Sequence, residues 1–203
     1  TASAVLAAVG RRPNTAKLCA PGVALDMERG FIRVNERFET SLPGAYAIGD
    51  AIGGMMLAHV ASAQGLTVVH ALAGEEPPLC LTAIPACVYV SPEIASVGLT
   101  QADCQQRGIE VKVGKALMGA NGRTLIAGGQ RGFIKVVVSA ENGRVLGAQL
   151  MCERATDMID SFTVAIANGL TATQLMRAVR PHPTFLEAVG EALDALEGRA
   201  IHS

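Results

Sequence analysis

The chain has 203 residues, half of them hydrophobic, and carries a formal net charge of −1 at pH 7. This composition predicts a folded chain with a sizeable core, in one large domain or two small ones. The near-neutral charge, without a run of basic residues, excludes an electrostatic basis for binding nucleic acid or an anionic membrane surface, and no stretch approaches the ~20 apolar residues of a membrane span.

The first part of the chain contains two apolar runs that predict buried strands. The run from Ala4 to Gly10 has the composition of a strand buried on both faces, and such a strand needs neighbours, so we expect this chain to be part of a longer polypeptide. The second run, from Ala45 to Asp50, ends in Gly-Asp. A carboxylate at the carboxyl end of a buried strand lies where open α/β sheets bind ligands, and the alternative is an ordinary turn aspartate.

A glycine turn at Gly53-Gly54 precedes a predicted helix over residues 55–73. The first turn of this helix would present backbone N–H groups and the positive end of its dipole to a ligand at the end of the preceding strand. We expect a domain boundary between Gly74 and Ile84, which gives one domain over residues 1–80 and a second over residues 84–203. The predicted buried stripe of the helix consists of Leu57, Val60, Ala61, Leu66, Val69 and Leu72.

The second part of the chain has short strands followed by helices, which predicts an α+β fold with an antiparallel sheet. Asn142-Gly143 between two apolar runs predicts a hairpin of residues 133–138 and 145–150. Capping boxes at Thr100 and Thr171 predict the starts of two helices. The other predicted strands cover residues 86–90, 94–98 and 109–118, and the other predicted helices cover residues 155–168 and 185–196.

His182 stands between Pro181 and Pro183, five positions before Glu187. The prolines restrict the backbone on both sides, and an imidazole with a carboxylate in reach is a tuned proton carrier. The alternative interpretation is that Thr184 and Glu187 form a capping box and that His182 is an ordinary loop histidine.

The cysteines and the other histidines carry weaker signals. Five scattered cysteines without a metal or redox spacing are typical of reduced thiols in a cytosolic protein. No metal site is predicted, because His59, His70 and His202 have no partner at a ligand spacing, which favours histidines on helix faces or in a tail. The cysteines are Cys19, Cys80, Cys87, Cys104 and Cys152.

Six motifs follow one another in the order found in flavin-dependent disulfide oxidoreductases. The chain resembles this family over essentially its whole length, and Met56-Leu57-Ala58-His59 is similar to the dihydrolipoamide dehydrogenase branch. The motifs are GRRPNT at 10–15, YAIGD at 46–50, MLAH at 56–59, PEIASVG at 92–98, ANGR at 120–123 and HPT with a following glutamate at 182–187.

The resemblance implies a relay of two electrons from dihydrolipoamide through an enzyme disulfide and FAD to NAD+. His182 would take the thiol proton of the substrate, and Glu187 would hold the imidazole in the useful tautomer. Asp50 would bind the ribityl side of FAD. The resemblance implies further cofactor contacts for Met56, Leu57, Ala58 and His59 near the flavin ring and for Gly10 and Arg11 beside the nicotinamide cofactor.

The resemblance also implies partners. Residues 84–203 would form the interface of a homodimer and deliver His182 into the active site of the partner chain, whose substrates would be the dihydrolipoyl groups of 2-oxo acid dehydrogenase complexes in the cytoplasm. Residues 1–80 would be a remnant of the FAD- and NAD-binding domains. Because the chain has neither the glycine-rich FAD fingerprint nor the Cys-x4-Cys pair of the family, we expect no turnover by this chain alone. The alternatives are a non-catalytic dimerisation domain and another disulfide reductase, such as a glutathione reductase-like enzyme.

Overall fold

The computed structural model of the protein describes residues 1–129 and 131–202. The chain divides into two compact units, residues 1–81 and residues 82–203. The predicted boundary lies between Gly74 and Ile84. The assignment of residues 1–80 to the cofactor-binding domains of the family stays a prediction.

The first unit has little regular secondary structure. Strands β1 (Met27–Glu28) and β2 (Phe31–Ile32) form a short antiparallel pair. A 3₁₀ turn covers Gly49–Ala51, and helix α1 covers Ala58–Leu72. The glycine turn between them is present, since Gly53 and Gly54 have φ values of +80° and +72°, which glycine adopts without a steric penalty.

Two predicted strands of this unit are wrong. Residues 4–10 form no strand, and the side chains of Val5 and Val9 are 91% and 98% exposed, because no described residue pairs with this run. A strand buried on both faces requires such neighbours. Residues 45–50 contribute only an isolated bridge from Tyr46 to Glu39. The extended geometry ends at Gly49, whose φ of +66° starts the 3₁₀ turn that contains Asp50.

The predicted apolar stripe of α1 is also only partly buried. Val60 and Val68 are buried, whereas Leu66, Val69 and Leu72 are 47%, 62% and 62% exposed. The described residues bury the face that bears the two valines, and the opposite apolar face of the helix is exposed to solvent.

The second unit is built on a five-stranded antiparallel sheet in the order β3-β4-β7-β6-β5. The predicted hairpin is confirmed, because β6 and β7 pair across the turn at Glu141-Asn142-Gly143. The strands are β3 (Ala86–Val88), β4 (Glu93–Gly98), β5 (Val111–Leu117), β6 (Phe133–Ser139) and β7 (Val145–Cys152).

Short helices surround this sheet, so the predicted α+β fold is confirmed. Both predicted capping boxes form, with Thr100 accepting from the N–H of Asp103 and Thr171 from that of Gln174. The helix predicted over residues 155–168 is interrupted at Ile159, and the helix after Asn121 was not predicted. The helices are α2 (Gln101–Gln106), α3 (Gly122–Ile126), α4 (Ala155–Met158), α5 (Asp160–Ala167), α6 (Ala172–Met176) and α7 (Glu187–Asp194), which continues as a 3₁₀ turn over Ala195–Glu197.

Helix α7 packs directly on the edge strand β5. A Cβ atom on Gly114 of β5 would overlap the carbonyl oxygen of Ala192, so only glycine permits this approach. Leu193 of the helix is completely buried, as are Ile134 and Phe162 in the core of the unit. This packing fixes the position of the helix that begins at Glu187.

Candidate active site

The bend before α7 brings His182 and Glu187 together. Nδ1 of the imidazole lies 2.8 Å from Oε1 of the carboxylate. The His182 side chain is 78% exposed and that of Glu187 is 31% exposed. The imidazole is therefore accessible to a ligand while its carboxylate partner is set further into the protein.

Glu187 also holds the backbone of the bend. Its second oxygen, Oε2, accepts a hydrogen bond of 2.9 Å from the N–H of Thr184. The Thr184 hydroxyl donates to the carbonyl oxygen of Pro181 at 2.7 Å, so only one half of the predicted capping box forms. Helix α7 begins at Glu187 and not at Phe185. The two interpretations of this sequence are compatible, because one carboxylate makes both contacts.

These contacts define the chemical state of the pair. The hydrogen bond from the Thr184 N–H, and then that from His182, hold the pKa of Glu187 below its usual value. An ionised carboxylate only accepts hydrogen bonds, so the neutral ring donates through Nδ1. Nε2 then carries the lone pair, and the imidazole can take a proton from a ligand through this atom.

Asn121 anchors the bend from a distant part of the sequence. Its side-chain amide donates to the carbonyl oxygen of Thr184 at 3.0 Å, and its own oxygen caps α3 by accepting from the N–H and the hydroxyl of Thr124 at 2.9 and 3.0 Å. Asn121 is only 8% exposed. Sequence reasoning placed Asn121 in a motif but gave it no role, although asparagine is a preferred N-cap residue.

A pocket of about 260 Å³ lies between the segment 116–122 and α7. Its ionisable lining residues are His182, Glu187, Glu191 and His202. The pocket thus contains two histidines and two glutamates. The sequence analysis identified His182 and Glu187 as a pair but not Glu191 and His202.

His70 and His202, for which the sequence shows no partner at a ligand spacing, each contact a glutamate. Nδ1 of His202 lies 3.0 Å from Oε1 of Glu191, and Nδ1 of His70 lies 2.8 Å from Oε2 of Glu75. In each case a glycine in the left-handed region lies between the two partners, Gly198 with a φ of +67° and Gly74 with a φ of +74°. Such contacts depend on the turn and are not visible as a ligand spacing.

The residues expected to bind cofactors lie in the first unit. Arg11 Nη2 is 2.6 Å from Asp50 Oδ2, so these two side chains meet although the resemblance assigns them to different cofactors. Met56 and Leu57 precede α1, and Ala58 and His59 form its first turn. Gly10 has a φ of +135°. No side chain caps α1 at Leu57, and a Cβ on Gly54 would meet nothing within 4 Å, which leaves room for a ligand at this helix N-terminus. The contacts of these residues with FAD and NAD stay predictions.

The described residues show no other centre of cofactor chemistry. Cys19, Cys87, Cys104 and Cys152 are free thiols, and burial, followed by the charges of Glu93 and Glu153, raises the pKa of Cys152 to about 12. Within residues 1–129 and 131–202 no group of three or more His, Cys, Asp or Glu side chains could hold a metal ion. In the same residues no helix has the length and apolarity needed to cross a membrane.

Two family models match most of the chain. Residues 84–193 match the dimerisation domain of pyridine nucleotide-disulphide oxidoreductases, and residues 1–65 match the pyridine nucleotide-disulphide oxidoreductase model. The chain belongs to the pyridine nucleotide-disulphide oxidoreductase family. This family comprises FAD- and NAD(P)-dependent oxidoreductases, which confirms the class expected from the motifs.

Curated relatives of the family are similar along the chain. It is 40% identical over 203 residues to a dihydrolipoyl dehydrogenase of Bacillus subtilis and 44% identical over 200 residues to that of Thermus scotoductus. These alignments cover 100% and 98% of the chain but 43% of each relative. The chain therefore spans less than half the length of these relatives.

Solved structures of the family superimpose well on the chain. LpdA from Mycobacterium tuberculosis matches with a TM-score of 0.86 and 28% identity, over 93% of this chain and 42% of that one. The HOCl-induced flavoprotein disulfide reductase RclA from Escherichia coli matches with a TM-score of 0.82 and 27% identity, over 92% of this chain and 44% of that one.

Proposed function

We propose that the protein containing this chain is a dihydrolipoyl dehydrogenase that oxidises dihydrolipoyl groups with NAD+ through a protein disulfide and FAD. In this proposal the chain supplies the His182–Glu187 pair and the dimer interface. The observation that carries it is the 2.8 Å contact between Nδ1 of an exposed imidazole and a carboxylate whose second oxygen is held by the Thr184 N–H.

His182 acts as the base in the thiol reaction. The S–H bond of the dihydrolipoyl group breaks, the proton goes to Nε2 of the imidazole, and the electron pair stays on sulfur. The resulting thiolate is the species that attacks a disulfide. Glu187 orients the ring through Nδ1 and stabilises the positive charge that forms on it.

FAD would supply the acceptor for the electron pair of the thiols and the donor of the hydride to the nicotinamide. Asp50 would accept a hydrogen bond from a hydroxyl of the ribityl chain through Oδ1, since Oδ2 contacts Arg11. The residues from Met56 to His59 would place the first turn of α1 against the flavin ring, and Gly10 and Arg11 would lie beside the nicotinamide cofactor.

The second unit would form the interface of a homodimer. The family match of residues 84–193 to a dimerisation domain supports this assembly, as does the 78% exposure of His182, which leaves the imidazole available to a site on another chain. The lipoyl domains of 2-oxo acid dehydrogenase complexes would be the substrates, in the cytoplasm.

Substitution of His182 in the whole protein tests this function. The His182→Gln variant should oxidise dihydrolipoamide with NAD+ about 10²–10⁴-fold more slowly, which is the usual contribution of a general base. His70→Gln is the matched control, because His70 also contacts a glutamate but belongs to the first unit. Equal rates for the His182→Gln variant and the unaltered protein would contradict the proposal.

The substrate is tested separately. The rate of reaction of the whole protein should be measured with dihydrolipoamide and with glutathione disulfide, each in the presence of the nicotinamide cofactor that its reaction requires. A protein that reduces glutathione disulfide and leaves dihydrolipoamide unreacted would belong to another branch of the same family, and a protein that turns over neither would favour a non-catalytic dimerisation domain.

A further inference from the structure

Helix α7 carries two carboxylates on the wall of one pocket. Glu187 and Glu191 are one helical turn apart, and each contacts Nδ1 of an imidazole, at 2.8 Å for His182 and at 3.0 Å for His202. The proposed function uses the first pair and gives the second pair no role.

Glu191 binds the segment that follows the helix, residues 198–202, which we call the tail segment. Its Oε1 contacts the His202 ring, and its Oε2 accepts hydrogen bonds from the N–H groups of Ile201 and His202 at 2.9 and 3.1 Å. A further hydrogen bond of 3.0 Å joins the N–H of Arg199 to the carbonyl oxygen of Asp194. The tail segment is therefore held at the pocket mainly by one carboxylate.

The second pair acts on the first. The hydrogen bonds from the Thr184 N–H and from His182 lower the pKa of Glu187 most, and the charge of His202 lowers it further. Burial raises the pKa of Glu191, but the hydrogen bonds from the His202 ring and from the two backbone N–H groups outweigh it and lower the pKa overall. Two like charges four residues apart on a helix repel each other. An ionised Glu191 without His202 would therefore add an unpaired negative charge beside the carboxylate that orients His182.

Other charged groups lie on the elements around this wall. Lys112 of β5 pairs with Glu197, in the 3₁₀ turn after α7, at 2.9 Å. Arg123 of α3 lies 5.9 Å over the ring of Phe185, and Arg199 belongs to the tail segment. Arg180, before the bend, donates to the carbonyl oxygens of Leu175 and Ala178. None of these four cations lines the pocket, whereas His202 lines it and contacts Glu191 directly.

We propose that His202 is a positioning residue: by engaging Glu191 it leaves Glu187 as the sole carboxylate partner of His182 and holds the tail segment over the pocket. The consequence for catalysis rests on the proposed function, whereas the coupling between the two pairs does not. The interaction between His202 and Glu191 thus stabilises, through its charges, the arrangement of the bend that carries His182.

The coupling can be measured in the whole protein without turnover. Exchange of the imidazole C2–H for deuterium, followed by mass spectrometry of the peptide that contains His182, gives the pH midpoint for protonation of that one ring. In His202→Leu the midpoint should move upward by about 0.5 in pH, because an unpaired carboxylate favours the cation. In His202→Lys, which keeps a cation beside Glu191, it should stay within about 0.2 in pH of the unaltered protein.

The double variant Glu191→Gln/His202→Leu decides the mechanism of the coupling. Removal of the competing charge should return the His182 midpoint to that of the unaltered protein or below it. An unchanged midpoint in His202→Leu overturns the proposal. A raised midpoint that persists in the double variant also overturns it, because the tail segment and not Glu191 would then act on His182.

The kinetic consequence has its own signature. In His202→Leu, kcat/KM for dihydrolipoamide should fall about threefold below the His182 midpoint measured by exchange and be unchanged well above it, since the raised midpoint leaves more of the base protonated only on the acid side. A uniform loss at every pH would contradict a positioning role. The failure of the proposed function can be distinguished from the failure of this inference. If only the proposed function fails, His182→Gln oxidises dihydrolipoamide at the full rate, and His202→Leu still shows the raised exchange midpoint of His182.

Discussion

The amide of Asn121 donates a 3.0 Å hydrogen bond to the carbonyl oxygen of Thr184, 63 residues further along the chain. This bond joins the N-terminus of α3 to the bend that carries His182. It connects two motifs that are separate in the sequence, and it makes the orientation of the imidazole depend on the loop after β5.

Asn121→Asp should weaken this connection while it preserves the cap of α3. An aspartate oxygen can still accept from Thr124, but its second oxygen would face the carbonyl of Thr184 and repel it. We expect a loss of about 1–3 kcal/mol in the free energy of unfolding, measured in urea, and about a tenfold lower kcat/KM for dihydrolipoamide in the whole protein. Thr124→Val is the control: it should lose similar stability and keep its activity. Equal activity of both variants would show that Asn121 only stabilises α3.

Glu187→Gln should change stability in a pH-dependent way. The Thr184 N–H and then His182 lower the pKa of Glu187 in the folded state, so its contribution is present above the unfolded pKa of about 4.3 and is lost as the pH falls through the folded pKa. The difference in unfolding free energy between the unaltered protein and Glu187→Gln should therefore be constant near neutral pH and shrink below about pH 4. Urea unfolding at several pH values measures it. Glu141→Gln, in the exposed hairpin turn, is the control, and a difference for Glu187→Gln that grew in acid would contradict the assignment.

Gly114→Ala should displace α7 from β5. The added Cβ would overlap the carbonyl oxygen of Ala192, which neither backbone can accommodate without moving. Overpacking of this kind costs about 1–3 kcal/mol, and the thermal unfolding temperature should fall accordingly. A Cβ on Gly122 would meet nothing within 4 Å, so Gly122→Ala should change stability by less than about 0.5 kcal/mol. An unaffected Gly114→Ala protein would show that the helix is less closely packed than described.

Asp50→Asn should reduce the FAD content of the purified whole protein. A hydrogen bond to a charged group contributes about 1.5–3 kcal/mol, which corresponds to at least tenfold weaker binding of the flavin. The ratio of flavin absorbance to protein absorbance measures the bound fraction. Arg11→Gln, which removes the ion pair with Asp50 but leaves the carboxylate, should retain FAD. Full flavin content in Asp50→Asn would remove Asp50 from the cofactor site.

The features predicted correctly from sequence were those encoded within a few residues. The capping boxes at Thr100 and Thr171 and the hairpin at Asn142-Gly143 depend on side chains and backbone conformations that lie within one turn. The contact between His182 and Glu187 is also local, five residues apart. The strand over residues 4–10 was predicted wrongly, because a strand requires pairing that its own composition cannot supply.

The remaining parts of the site depend on the tertiary fold. Asn121 reaches Thr184 only because β5 and α7 pack together, and His202 reaches Glu191 only because the chain reverses at Gly198. No periodicity or spacing in the sequence encodes either contact. The exposed leucines of α1 also show this dependence on the tertiary fold. An apolar stripe indicates that a helix face is to be buried, but it does not indicate which residues bury it.

The most direct test of the central claim separates the two half-reactions of the whole protein in a rapid-mixing experiment. Reduction of the bound flavin by dihydrolipoamide requires removal of a thiol proton, whereas reduction by NADH delivers a hydride and does not. The account predicts that His182→Gln slows the first reduction about 10²–10⁴-fold and leaves the second unchanged. Reduction by dihydrolipoamide at the unaltered rate, or equal slowing of both reductions, would contradict the assignment of His182 as the base.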